Sequence, residues 1–222
     1  MRPAPLLHEA ASNGDEAVVE ELLKAGVDVH EKDSSRDNRT ALHCAAAAGR
    51  DAAVRALAGA GAKIDVRDSR RRTPLHYACL NGHRGVVVFL LLKGSRAQHQ
   101  SMERVRRRLC SKALYYAISA NKPDTISDLV ALGADVEYHT PGEKPNLHAA
   151  VLRRAERAAE ALLRAGANVQ TRFTGGTPLH LACSHSLPSM VKLLLHWGAD
   201  ECATNSDGDT PLAVVGSYAQ VD

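Results

Sequence analysis

The sequence is poor in aromatic residues, with two phenylalanines, five tyrosines and one tryptophan among 222 residues. A single large globular core usually needs more large aromatic side chains to fill its volume. Hydrophobic residues nonetheless make up 45% of the chain, and most of them are alanine, leucine and valine. This composition favours short helices that pack closely against one another.

The sequence also lacks paired cysteines and long apolar segments. The five cysteines, at positions 44, 79, 110, 183 and 202, form no Cys-x-x-Cys pair, so neither a disulfide framework nor a structural zinc site is predicted. No apolar core of a signal peptide follows the first methionine. The longest apolar run, residues 86–92, is too short to span a membrane. These features predict a reducing compartment, the cytoplasm or the nucleus, and no membrane partner.

No catalytic sequence pattern is present. The chain contains no His-Glu-x-x-His, Walker A or Gly-x-Ser-x-Gly sequence and no paired carboxylates that would suggest acid–base chemistry. We therefore expect no enzyme activity, no cofactor, no metal and no small-molecule substrate. The formal net charge of +3 is too small to indicate nucleic-acid binding on its own.

A seven-residue block recurs along the chain at intervals of 32 to 39 residues. Thr73-Pro-Leu-His-Tyr-Ala-Cys returns as Thr177-Pro-Leu-His-Leu-Ala-Cys, and looser copies begin at positions 5, 40, 112, 145 and 210. In the first six copies a glycine follows 21 residues after the start of the block. A body of constant length joined by segments of variable length predicts an array of stacked repeats. The glycines are Gly26, Gly61, Gly94, Gly133, Gly166 and Gly198.

Each unit has the pattern of two short helices. In the third copy, Thr73 suits an N-cap and Pro74 the first helical position, because a proline there loses no hydrogen bond. Gly82 suits a left-handed C-cap, and the apolar residues 86–91 predict a second helix that Gly94 closes. Helices this short cannot bury their own apolar faces, so neighbouring units must cover them.

Two features depart from the repeat. Arg154 and Ser186 stand where other copies have a glycine between the two helices, which predicts a less regular turn. Residues 95–111 contain about six more residues than the other connections and predict an exposed loop. That loop is either a surface insertion that costs little stability or part of a binding face.

The repeat resembles the ankyrin repeat, which has about 33 residues, a Thr-Pro-Leu-His block and a Gly-Ala-Asp-Val close. Residues 133–136 match that close. The resemblance implies an all-α solenoid of stacked helix–turn–helix units with short β-hairpin fingers, as a single domain over residues 1–222. Fingers and first helices would line a concave groove. The six predicted repeats and the partial seventh are residues 1–35, 36–68, 69–107, 108–140, 141–172, 173–205 and 206–222.

Histidine is frequent, and five of the eleven histidines occupy one equivalent position of the repeat. Residues spread evenly along a solenoid cannot converge on one metal or substrate. We therefore interpret these histidines as structural and expect each ring to form a hydrogen bond with nearby backbone. They are His8, His43, His76, His148 and His180.

Arginines concentrate in three successive segments that the resemblance places in fingers. Arginine matches the geometry of carboxylate and phosphate groups, so this edge predicts docking of an acidic or phosphorylated partner segment. Solvated loops with local ion pairs are the alternative, because acidic residues are interspersed. Nucleic-acid binding is a weaker alternative, because no aromatic residues lie between the arginines to stack on bases. The arginines are Arg36, Arg39, Arg67, Arg70, Arg71, Arg72, Arg104, Arg106, Arg107 and Arg108.

In ankyrin-repeat proteins, partner contacts come from finger tips and from exposed positions of the first helices. The resemblance carries this role onto Leu80 and Asn81 in the third repeat and onto Ser184 and His185 in the sixth. Phe173 is the one aromatic residue at such a finger position. It would either anchor a partner or pack on the neighbouring finger.

These features together predict a monomeric interaction module or scaffold that binds another protein through its concave groove and basic fingers. A rigid groove loses little entropy when a partner docks. The alternative within the family is a substrate-recognition adaptor of a ubiquitin ligase. That role normally needs a recruiting segment, such as a SOCS box, after the array.

Overall fold

A computed structural model describes residues 3–95, 102–139 and 143–218. Within these ranges the chain forms thirteen α-helices, and the β structure is limited to two isolated bridges, Asp33 with Arg39 and Phe173 with Gly176. The predicted all-α fold is confirmed. The helices are α1 (Pro3–Asn13), α2 (Glu16–Lys24), α3 (Ala41–Ala48), α4 (Asp51–Gly59), α5 (Pro74–Asn81), α6 (Arg84–Ser95), α7 (Met102–Ser119), α8 (Pro123–Ala131), α9 (Asn146–Leu152), α10 (Glu156–Arg164), α11 (Pro178–Ser184), α12 (Pro188–His196) and α13 (Pro211–Tyr218).

The helices group into two compact units, residues 1–109 and residues 110–222, which we call unit 1 and unit 2. In unit 1, α1, α3 and α5 pack side by side in one row, and α2, α4 and α6 form a second row. Each helix of the first row also packs on the helix that follows it in the chain. Between the rows, Leu42, Ala45, Val54 and Leu57 are fully buried. Small and branched aliphatic side chains therefore form the core, as the composition predicts.

Unit 2 repeats this arrangement. The helices α9, α11 and α13 form one row, and α8, α10 and α12 form the other. Ile126, Leu129, Leu162 and Leu194 are fully buried between them. In both units each helix pair contacts mainly its neighbours, which is the packing that defines a solenoid. The boundaries of the individual repeats stay a prediction.

The turn between the two helices of a pair has the same backbone in all six predicted full repeats. The residue nine positions after the start of each block has a positive φ, and the next N–H donates to the carbonyl five residues earlier. The expected irregularity at Arg154 and Ser186 is therefore wrong: both adopt the left-handed conformation, with φ of 54° and 51°. The hydrogen bonds of this cap force the conformation even where no glycine is present. The six residues are Gly14, Gly49, Gly82, Asn121, Arg154 and Ser186.

Five of the six glycines that were predicted to close second helices do so, with φ between 82° and 93°. Gly94 is the exception, because it lies inside α6, which continues to Ser95. In the other five repeats the residue after the glycine is alanine or valine, and its N–H donates to the carbonyl five residues earlier. An apolar residue at that position normally packs back onto the helix and stabilises this cap. The residue after Gly94 is the polar Ser95, and α6 does not end at its glycine.

The predicted loop over residues 95–111 is also wrong for most of its length. Residues 96–101 lie outside the described part of the chain, and α7 already begins at Met102. Residues 102–109 combine strong helix formers with no glycine or proline, which explains the helix. Arg104, Arg106, Arg107 and Arg108 therefore belong to a helix and not to a finger tip. Among the helices of the described residues, none combines the length and the apolar character that crossing a bilayer requires.

The segments that precede first helices are tight turns. We call residues 31–40 finger 2, residues 65–73 finger 3, residues 171–177 finger 6 and residues 204–210 finger 7. Asp33, Asp68 and Asn205 each accept a hydrogen bond from the backbone N–H two residues later, which fixes the turn. One backbone hydrogen bond, such as that from Asp68 to Arg72, then closes it. The predicted β-hairpins are thus reduced to turns with, at most, a single bridge in the described fingers.

The left-handed turns generate a prediction about stability. A side chain at positive φ is strained by about 1 kcal/mol, and both Arg154 and Ser186 are exposed, so their side chains add little packing. Each of the substitutions Arg154→Gly and Ser186→Gly should raise the free energy of unfolding by up to about 1 kcal/mol in urea denaturation. Gly82→Ala is the matched control and should lower it by a similar amount. If both glycine substitutions lowered the free energy of unfolding, a side chain at positive φ could not be the source of the strain.

Candidate partner-binding surfaces

A threonine–histidine pair begins three of the first helices. In each pair the threonine backbone N–H donates to Nδ1 of the histidine three residues later. Because a backbone amide can only donate, Nδ1 is the acceptor, and the proton of the neutral ring lies on Nε2. The predicted local hydrogen bond is confirmed in these pairs. They are Thr40 with His43, Thr73 with His76 and Thr177 with His180, at N···N distances of 3.1, 2.7 and 3.2 Å.

The second ring nitrogen of the repeated histidine connects one repeat to the next, which the sequence did not predict. Nε2 donates a hydrogen bond to a backbone carbonyl near the end of the following finger, 28 to 31 residues further along the chain. The finger is thereby fixed against the helix row. The four bonds join His8 to Arg39 (2.9 Å), His43 to Arg72 (3.1 Å), His148 to Gly176 (3.2 Å) and His180 to Asp209 (3.0 Å).

Finger 3 is built around the buried carboxylate of Asp68, whose side chain is 0% exposed. One oxygen accepts hydrogen bonds from the backbone N–H groups of Arg70 and Arg72, and the other accepts from the Tyr77 hydroxyl at 2.6 Å. Burial acts to raise the pKa of Asp68, but these hydrogen bonds outweigh it and hold the pKa below its ordinary value. The charge at the base of the finger is therefore retained.

Arg39 from finger 2 completes this buried cluster. Its guanidinium lies over the Tyr77 ring, 4.4 Å from the centroid, and its Nε is 3.9 Å from the Asp68 carboxylate. Arg72 also approaches the same ring, at 5.7 Å. These two predicted contact residues thus also stabilise the fingers, and the Arg39 side chain is only 25% exposed.

Fingers 2 and 3 are joined at their outer edge as well. The Asp37 carboxylate pairs with Arg39 at 3.2 Å and with Arg70 at 3.0 Å, and the Asp37 carbonyl accepts from the Ser69 N–H. Asn38 donates to the Ser69 hydroxyl. Two successive fingers therefore present one continuous surface in unit 1.

Three predicted arginines remain exposed on this surface. The Arg36 side chain is 52% exposed, with its Nε 3.6 Å from Asp33, and the Arg70 side chain is 58% exposed. Arg71 lies at the tip of finger 3 with a left-handed backbone, and it forms no ion pair within the described residues. Ion pairs this exposed are weak, so an incoming anion can replace them. We call Arg36, Arg70 and Arg71 the arginine edge.

The other predicted positions of unit 1 are less uniform. Leu80 is half-buried on α5, and the Asn81 side chain donates to the Ala47 carbonyl at 2.6 Å, which connects α5 to α3. Arg106, Arg107 and Arg108 are helical residues of α7, and their side chains lie outside the described part of the structure.

In unit 2, the structure brings Phe173, Ser184 and His185 together around one cavity of about 440 Å³. The ring of Phe173 is half-buried and contacts the His148 ring edge-on, with centroids 5.9 Å apart. The cavity is also lined by residues that no sequence pattern singled out. Fingers 6 and 7 carry no run of charged residues that would have drawn attention to them. The additional lining residues include Lys144, Gly175, Gly176, Leu181, Asn205, Asp207, Asp209 and Val214. We call this the unit 2 cavity.

Two of the repeats that carry the histidine lack the threonine of the threonine–histidine pair, those whose blocks begin at Pro5 and Pro145. Pro145 replaces the threonine in front of α9 and has neither an N–H nor a hydroxyl to offer. The Nδ1 of His148 is consequently buried without a hydrogen-bond partner. A buried polar atom without a partner costs about 1–3 kcal/mol.

No group of three or more histidine, cysteine or acidic side chains in the described residues is placed to hold a metal ion. The chemistry of both surfaces is instead that of non-covalent recognition: arginine forks on unit 1, and an aromatic ring beside polar groups on unit 2.

The buried histidines predict how stability depends on pH. Burial lowers the pKa of His43 and of His148. Above about pH 6.5 these rings are neutral in both states; below it the unfolded chain takes up protons that the folded chain does not. The free energy of unfolding should therefore fall as the pH decreases from 7.5 to 5.5, by up to about 1.4 kcal/mol per pH unit for each ring. His43→Gln should reduce this slope, whereas the exposed control His30→Gln should not; equal slopes would contradict the interpretation.

The proline in front of α9 predicts a stabilising substitution. Pro145→Thr supplies the missing N–H and hydroxyl to His148 Nδ1, so it should raise the free energy of unfolding by about 1 kcal/mol. Thr40→Pro is the reciprocal variant: it removes the same groups from His43 and should lower the free energy by about 1–3 kcal/mol. Urea denaturation at pH 7.5 measures both. If Pro145→Thr lowered the free energy of unfolding, the hydrogen bonds between threonine and histidine Nδ1 in the other repeats could not be what stabilises them.

Comparison with known proteins agrees with this architecture. The family model for ankyrin repeats (3 copies) matches residues 7–102 and 147–219, more than half of the chain. Human protein phosphatase 1 regulatory subunit 27 is 32% identical over 125 residues, 52% of this chain and 81% of that protein. Ankyrin repeat and SOCS box protein 5 of Bos taurus is 37% identical over 90 residues, 40% of this chain and 27% of that protein. The crystal structure of the human ASB11 ankyrin repeat domain superposes with a TM-score of 0.76 at 26% identity, covering 94% of this chain and 90% of that domain. The chain belongs to the ankyrin-repeat family, whose stacked helix pairs mediate protein–protein interaction.

Proposed function

We propose that the protein is a non-catalytic, monomeric scaffold of the cytoplasm or nucleus that holds an acidic or phosphorylated segment of a partner on its arginine edge. The observation that carries this proposal is the joining of fingers 2 and 3 by the Asp37 and Asp68 interactions. Two fingers fixed in this way present Arg36, Arg70 and Arg71 on one surface before a partner arrives. A preorganised surface loses little entropy on binding.

Electrostatics supports the choice of partner. Arg71 forms no ion pair within the described residues, and in the existing pairs with Asp33 and Asp37 the arginine side chains are 52% and 58% exposed. A phosphate or a run of carboxylates can therefore bind in place of weak local pairs, with bidentate geometry at each guanidinium. Leu80, on the first helix that follows finger 3, would contribute apolar contact to the same partner.

The proposal is tested by capture of partners from a cell lysate with the full chain and with Arg70→Glu/Arg71→Glu. The charge-reversed variant should recover at least roughly tenfold less of the bound partners, because a reversed charge repels the anionic segment. Phosphatase treatment of the lysate distinguishes a phosphorylated segment, whose binding it abolishes, from a carboxylate-rich one, whose binding survives.

Arg157→Glu/Lys192→Glu is the matched control, because both residues are exposed on second helices of unit 2 and the net charge changes equally. Circular dichroism verifies that each variant is folded. Identical sets of captured proteins for the two double variants would show that the arginine edge is not the docking surface.

A second candidate is the role of substrate-recognition adaptor of a ubiquitin ligase. The specific observation in its favour is the similarity to proteins named for ankyrin repeats together with a SOCS box. In that case a ubiquitin ligase would co-purify with the full-length protein, and the Arg70→Glu/Arg71→Glu variant would lose the substrate while it keeps the ligase. The absence of a ligase from the purified full-length protein would favour the scaffold role alone.

A further inference from the structure

The unit 2 cavity draws its walls from three successive repeats. Lys144 precedes α9 and His148 lies in its first turn, residues 173–176 belong to finger 6, and Asn205, Asp207 and Asp209 belong to finger 7. Since α9 packs on α11 and α11 on α13, these contributions follow one another along the row of first helices. A volume of about 440 Å³ lies within the range of pockets that hold several side-chain groups of a ligand.

Part of the cavity lining is apolar, and a glycine lies beside it. Phe173 and Leu181 are half-buried and provide the apolar wall, to which Val214 adds from α13. Gly176 admits no side chain, because a Cβ there would lie 2.8 Å from the His180 ring and 3.1 Å from the Asn205 Cβ. Glycine at this position therefore lets finger 6 pack closely against α11 and finger 7.

One end of the cavity carries two carboxylates without partners. The Asn205 Oδ1 accepts hydrogen bonds from the backbone N–H groups of Asp207 and Asp209, both at an N···O distance of 2.9 Å. These bonds fix the backbone of finger 7. The carboxylates themselves form no hydrogen bond or ion pair within the described residues, and the lysine that lines the cavity, Lys144, belongs to the first of the three repeats. Two negatively charged side chains on a fixed backbone turn therefore belong to the same lining as the apolar residues.

A third acceptor lies in the same lining. His148 is 3% exposed, its Nε2 bonds the Gly176 carbonyl, and its Nδ1 has no partner. With the proton on Nε2, Nδ1 is an acceptor. The unpartnered carboxylates of finger 7 are acceptors, and the ligand that complements them is a hydrogen-bond donor with positive charge; Lys144 is the cation in the same lining.

We infer that the unit 2 cavity binds a basic side chain, arginine or lysine, of a partner protein. The aliphatic stem of that side chain packs on Phe173 and Leu181, and its cationic end pairs with the carboxylates of Asp207 and Asp209. Long basic side chains have this division between an apolar stem and a charged head. This preference is opposite to that of the arginine edge and does not depend on it.

The probe is the capped peptide acetyl-Gly-Leu-Arg-Ala-Gly-amide, titrated into the ¹⁵N-labelled full chain and followed by amide chemical shifts. Saturable shifts should appear at Gly175, Gly176 and Asp207. Replacement of the arginine in the peptide by glutamate should weaken binding by at least roughly tenfold. Raising the salt concentration from 0.15 M to about 0.5 M should also weaken binding, because the contact is ionic and partly exposed.

Protein variants make the assignment specific. Asp207→Asn should weaken binding of the arginine peptide roughly five- to tenfold, whereas Glu201→Gln, an equal charge change at an exposed residue outside the cavity, should leave it unchanged. The Arg70→Glu/Arg71→Glu variant should bind the peptide as the wild type does. Failure of the arginine-edge proposal can therefore be distinguished from failure of the inference about the unit 2 cavity.

Three results would overturn the inference. The first is equal or tighter binding of the glutamate peptide, which would assign the cavity to an acidic segment at Lys144. The second is an equal effect of Asp207→Asn and Glu201→Gln. The third is the absence of shifts at the lining residues with the arginine peptide at about 5 mM, a concentration that detects even millimolar affinity.

Discussion

The hydrogen bond from a repeated histidine to the next finger is the interaction on which the binding surfaces depend. Burial of small aliphatic side chains holds the helix rows together, but it does not by itself place the fingers. The bond from Nε2 to the finger carbonyl does so, because it is directional and comes from a buried ring. In unit 1 it fixes the end of finger 3 at Arg72, next to the arginine edge. In unit 2 it fixes Gly176 and Asp209, which line the cavity.

Much of the fold could be predicted from the sequence because each signal is local. Threonine, proline and glycine at fixed offsets specify helix starts and turns, and a repeat of constant length specifies stacking. The clustering of arginines on fingers 2 and 3 could be predicted for the same reason, because it is a feature of the local sequence. The structure divides these arginines, however: Arg39 and Arg72 contact the buried Tyr77 ring, whereas Arg36, Arg70 and Arg71 are exposed.

What the sequence did not predict depends on the hydrogen bonds of a whole helix cap or on the stacking of repeats. The left-handed backbone of Arg154 and Ser186 follows from hydrogen bonds of the whole cap and not from the residue type. Gly94 remains helical because the residue after it is not apolar. The unit 2 cavity includes Phe173, Ser184 and His185, which were predicted, but also Asp207 and Asp209, whose proximity appears only when fingers 6 and 7 are stacked.

Imidazole ¹⁵N and ¹H spectra of the folded protein at pH 7.5 test most directly whether the repeated histidines hold the fingers. The rings of His8, His43, His148 and His180 should all show the tautomer protonated on Nε2, with Hε2 protons that exchange slowly with water. Protonation on Nδ1, or Hε2 exchange as fast as that of an exposed histidine, would contradict the bond to the next finger.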